Sequence, residues 1–81
     1  MDTRVAIIGI IVENDATICD IQNILSEYSN YIIGRMGIPY REKSIRVISV
    51  VLDAPMDIIN ALTGKIGNLE NVSAKAVYSV K

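Results

Sequence analysis

Two β-branched runs, VAIIGIIV over Val5–Val12 and IRVISVVL over Ile45–Leu52, are apolar at both odd and even positions. A strand places alternate residues on opposite faces. A half-exposed antiparallel strand therefore alternates apolar with polar side chains, and these two runs do not. In the first, Val5, Ile7 and Ile11 share one face, with Ala6, Ile8, Ile10 and Val12 on the other. In the second, Val47 and Val51 oppose Ile48, Val50 and Leu52. Any sheet built on these strands needs cover front and back.

The segments between and after them supply cover for one face. Asn14 or Asp15 offers a helix N-cap, and Ala16–Asn30 has helical periodicity. Ile18, Ile21, Ile24, Leu25 and Tyr28 fall within about 120° of arc. Residues 31–40 (YIIGRMGIPY) read as a second strand, with Gly34 and Gly37 allowing a bulge or close backbone approach and Pro39 marking an edge or a strand end. Arg41–Ser44 is a polar turn. Pro55 suits the first turn of a second helix, whose stripe is Ile58, Ile59, Leu62, Ile66 and Leu69, with Gly67 and Asn68 as its C-terminal cap. Val72–Val80 alternates as a last strand. The order β-α-β-β-α-β is the split βαβ, or ferredoxin-like, motif of the α+β class. The 81 residues make one domain, 1–81, with a four-stranded antiparallel sheet and two helices on one face.

A domain of this size buries only roughly 60–65% of the surface its unfolded chain exposes, and one cysteine forms neither an internal disulfide nor a structural zinc site. The remaining way to cover the second sheet face is another copy of the chain, so a homodimer or homotetramer is expected. The predicted interface is Ile8, Ile10, Val12, Ile48 and Val50, or the opposite set if the helices cover that face. No apolar run approaches the ~20 residues of a membrane span, and the start of the chain lacks a signal-peptide layout. The reading is a cytoplasmic protein with no membrane partner.

Function classes narrow on composition. The chain has no His, which removes the commonest general base and transition-metal ligand. No catalytic residue, metal site or cofactor is expected. Eight basic against nine acidic residues give a net charge of −1, whereas nucleic-acid binders usually carry a basic excess. Gly34-Arg35-Met36-Gly37 has the GXXG pattern of KH domains, but Pro39 opposes the helix that should follow. Gly64-Lys65-Ile66-Gly67 sits at a helix C-terminus, the wrong end of the dipole for a phosphate. Cys19 stands opposite the apolar stripe with no basic cluster to activate it. Arg35, Arg41 and Lys43, with Gly64 and Lys65, are the candidate contacts for an effector or anion. The alternative is nucleic-acid binding through the basic β2–β3 hairpin of Arg35, Arg41, Lys43 and Arg46.

The stretch Gly34-Arg35-Met36-Gly37-Ile38-Pro39-Tyr40-Arg41-Glu42, followed by a β-branched strand and then Ile59-Asn60-Ala61-Leu62-Thr63-Gly64-Lys65-Ile66-Gly67-Asn68-Leu69, resembles the iron-only hydrogenase system regulator family. The resemblance covers essentially the whole chain. It implies an ACT-like fold, related to the C-terminal domain of nickel-responsive repressors, and a regulatory role toward iron-only hydrogenases. Two departures limit what transfers. The Asp/Asn-x-Pro-Gly turn of amino-acid-binding ACT domains is replaced by Asn14-Asp15-Ala16-Thr17, and the His ligands of the nickel-responsive relatives are missing. With no DNA-binding segment ahead of the domain, direct nucleic-acid contact is not expected. Regulation is expected to work through a small effector at a subunit interface or a partner protein, in a transcription-regulating setting.

Overall fold

The computed structural model describes residues 2–80. The two doubly apolar runs become the central pair of the sheet. Strand β1 (Arg4–Val12) and strand β3 (Ile45–Ala54) run antiparallel, with Ile8 opposite Val50 and Ile10 opposite Ile48. Strand β2 (Ile32–Tyr40) flanks β3, and strand β4 (Val72–Tyr78) flanks β1, so the spatial order is β2-β3-β1-β4 with every neighbour antiparallel. The α+β, ferredoxin-like layout expected from the sequence is present.

The first helical segment is more broken than its periodicity suggests. A 3-10 turn, Asp15–Thr17, precedes helix α1 (Ile18–Glu27), and a second, Ser29–Tyr31, follows it. Asn14 is the cap: its side-chain oxygen accepts from the Ala16 backbone N–H at 2.9 Å, while the Thr17 hydroxyl donates to the Asn14 carbonyl at 2.9 Å. Short polar side chains that bind nearby backbone tighten a turn at the expense of regular helix. Helix α2 (Met56–Gly67) starts after Pro55 as expected. Asn68 is its C-cap, as expected, in right-handed geometry, while Gly67 is the last helical residue. The left-handed residue is Asn71, at φ 60° in the turn into β4. Asn tolerates that conformation better than most residues.

Both helices lie on one sheet face, and the core sits between them. Ala6, Ile8, Ile10 and Val12 of β1 and Ile48, Val50, Leu52 and Ala54 of β3 meet Ile21 and Leu25 of α1 and Ile59, Leu62 and Ile66 of α2. This corrects the expected interface. Ile8, Ile10, Val12, Ile48 and Val50 are buried under the helices of their own chain and are unavailable to a second copy. The opposite parity is open. Val5, Ile7, Ile11 and Val47 remain 38–47% exposed.

Strand β2 carries a bulge. Ile32 pairs with Leu52 and Gly34 with Val51, so Ile33 is an extra residue. A bulge reverses the facing of everything beyond it. Past this one, Arg35, Gly37 and Pro39 share the helix side with Val50, Ile48 and Arg46. Gly34, Met36 and Ile38 join the open side.

Candidate functional site

The edge strand is poorly covered by α1, and a cleft of about 260 Å³ remains on the helix side. Ile18, Gln22 and Leu25 of α1 form one wall. Arg35, Gly37 and Pro39 of β2 form the other, with Ile48 and Arg46 of β3 between them. The cleft owes its width to Gly37. Strand geometry there asks for no glycine, since no glycine has positive φ, and a Cβ built at Gly37 meets nothing within 4 Å. A β-branched residue would suit the strand better and would fill the space above Ile48.

The cleft has two cations in different states. The Arg46 Nε donates to the Asp15 carboxylate at 3.2 Å. Arg35 has no ion-pair or hydrogen-bond partner among the described residues. A guanidinium is always charged and presents a planar fork that suits a carboxylate. The cleft therefore combines an apolar floor with one unanswered positive charge.

The other candidates lie apart from Arg35. Arg41 and Lys43 belong to a 3-10 turn, Arg41–Lys43, ended by left-handed Ser44 at φ 55°. Arg41 lines a shallow depression with Asp15, Tyr40, Ser44 and Arg46, and Glu42 between the two basic residues accepts from the Tyr40 hydroxyl at 3.2 Å. Lys65 lies in the last turn of α2. Its ammonium sits 5.1 Å above the Tyr28 ring centroid and 3.9 Å from the Glu27 carboxylate. Tyr28, by hydrogen bonding and then by charge, holds its pKa above the ordinary 10.5, with a smaller contribution from Glu27. Lys65 thus joins α2 to α1 and is already engaged. Gly64 is exposed, and a Cβ there meets nothing within 4 Å. Of the five predicted contacts, only Arg35 enters the cleft. Sequence reasoning left Gln22 out of the site and gave Ile48 to the subunit interface and Gly37 to a bulge or close backbone approach, although the bulge-permitting glycines were a signal that β2 would change facing.

The second feature is the open sheet face. Val5, Ile7 and Ile11 of β1, Val47 and Val51 of β3, Met36 and Ile38 of β2 and Val77 of β4 share it by register. Gly9 lies mid-face opposite Ser49 and Lys75, and beside it a shallow groove runs along Ile11, Val47 and Ser73. Cys19 is exposed and free.

Known proteins resemble the chain at two levels. No curated protein matches it. Among solved structures, "uncharacterized protein TM1266" from Thermotoga maritima aligns with a TM-score of 0.92 and 32% identity, over 99% of this chain and 100% of that one. A formyltetrahydrofolate deformylase from Pseudomonas putida KT2440 aligns with a TM-score of 0.66 and 14% identity, over 90% of this chain but 28% of that one. The latter likeness concerns the fold alone. The model of the TM1266-like family, described as "Iron-only hydrogenase system regulator, putative", matches residues 4–76. That stretch includes every strand, both helices and the cleft except the last two residues of β4, and on it the chain belongs to the TM1266-like family of iron-only hydrogenase system regulators.

Proposed function

We propose that the chain is a non-enzymatic regulatory module of the iron-only hydrogenase system that works as a homodimer or homotetramer assembled through its open sheet face. The observation that carries this reading is the exposed band of Val5, Ile7, Ile11, Val47, Ile38 and Met36 on the face opposite the helices. So many exposed apolar side chains on one face, on either side of a middle row of Gly9, Ser49 and Lys75, are uncommon on soluble monomers. A two-fold operation covers them with the same face of a second copy. A small effector is the regulatory input, and it acts by binding one assembly state better than another. The family description supports the regulatory role, and the absence of His from the chain removes the commonest general base.

Sedimentation velocity tests it. The expected species is a dimer or larger at micromolar concentration; a stable monomer there would remove the proposal. The nucleic-acid alternative is weaker, because Asp15 already answers Arg46 and Glu42 separates Arg41 from Lys43. Salt-dependent binding to DNA or RNA, lost in Arg41→Ala, would revive it.

A further inference from the structure

The α1–β2 cleft has three properties that together specify a ligand class. The floor is apolar, made by Ile18, Leu25 and Ile48. One cation, Arg35, is unpartnered, while Arg46 is held at 3.2 Å by Asp15. The space is kept open by Gly37, where no positive φ and no close neighbour demands a glycine. We propose that this cleft binds a small aliphatic monocarboxylate, with the carboxylate on the Arg35 guanidinium and the hydrocarbon tail over Ile18, Leu25 and Ile48.

The charge count selects one negative charge. A dianion such as phosphate would leave part of its charge unanswered, since Asp15 competes for Arg46, and would gain nothing from the apolar floor. A neutral aliphatic molecule would leave Arg35 without its carboxylate. The cleft is open to solvent and has a volume of about 260 Å³, below the roughly 300–1,000 Å³ of pockets that take drug-sized ligands, so its ligand is small. All the named groups come from one subunit, so the site is complete without a partner copy. The inference deepens the regulatory reading by giving its effector a chemical class, and rests on that reading only for its purpose.

The test is an amide NMR titration of the isotopically labelled full chain with 4-methylpentanoate, 4-methylpentan-1-ol and inorganic phosphate. The expected result is saturable shifts at Gln22, Gly37 and Ile48 with the carboxylate, and binding at least about tenfold weaker for the alcohol and for phosphate. Arg35→Gln should weaken carboxylate binding by about tenfold or more. Gly37→Val should abolish it while leaving the thermal midpoint at or above that of the unsubstituted chain, and Arg41→Gln should leave it unchanged. No saturable shift, phosphate binding as tight as the carboxylate, or unchanged affinity in Arg35→Gln would overturn the proposal. Sedimentation reports separately on assembly: a monomer that still binds the carboxylate removes the oligomer reading and keeps this one, and an oligomer with a silent cleft does the reverse.

Discussion

The Nε of Arg46 on β3 lies 3.2 Å from the carboxylate of Asp15, 31 residues earlier in the chain, at the turn that opens α1. Both side chains are substantially exposed, and such pairs contribute only about 0–1 kcal/mol to stability. Asp15→Asn is therefore expected to shift the urea midpoint little. Its larger effect falls on the cleft, where a second guanidinium loses its competitor. Carboxylate affinity in the NMR titration should rise by up to about tenfold, and an unchanged constant would mean that Arg46 plays no part in binding.

Adjacent residues of β1 separate the two roles of the sheet. Ile10 is fully buried under the helices, and Ile11, its neighbour, is on the open face. Ile10→Ala should cost about 2–5 kcal/mol by urea unfolding. Ile11→Asp should leave the helical content intact by circular dichroism and convert the sedimenting species to monomer. An oligomer that survives Ile11→Asp would place the assembly surface elsewhere.

Gly64 stands in the third turn of α2 with open space where a Cβ would go. In an exposed helix interior, alanine is favoured over glycine by about 0.5–1 kcal/mol. Gly64→Ala should raise the thermal midpoint of the isolated protein accordingly. A fall in stability together with loss of oligomer would instead identify Gly64 as a point of backbone approach between subunits.

Lys65 supplies a pH dependence on the alkaline side. Its folded pKa is raised above the unfolded value of 10.5 by Tyr28, first through hydrogen bonding and then through charge, with Glu27 adding less. A raised lysine binds its proton more tightly when folded. Its stabilising contribution is therefore fully present below the unfolded pKa and is lost as pH rises through the folded pKa. Urea midpoints of the unsubstituted chain and of Lys65→Met should differ at neutral pH and converge at strongly alkaline pH. A constant difference across that range would rule out the lysine charge as its source.

Much of the architecture was legible from residue pattern. Val5–Val12 and Ile45–Leu52 announce buried strands by their β-branched runs, and the Ile21, Leu25, Ile59, Leu62 and Ile66 stripes announce the faces that cover them. The cleft was less legible. Counting alternation from Ile32 through β2 puts Arg35 on the solvent side, but the extra residue at Ile33 turns it to the helix side. Glycines at 34 and 37 permit such a shift without specifying where it falls.

The pattern of side chains along the chain, by itself, determined the order of elements, the pairing of greasy strands at the centre and the presence of two apolar sheet faces. Which face receives the helices was decided only by the tertiary structure. Ile8 and Ile7 are both acceptable to a core, and alternation says that they oppose each other without saying which is covered. The packing of the α1 and α2 stripes against one side of the sheet makes that choice. It buries Ile8, Ile10, Val12, Ile48 and Val50 and leaves Ile7, Ile11 and Val47 for another surface.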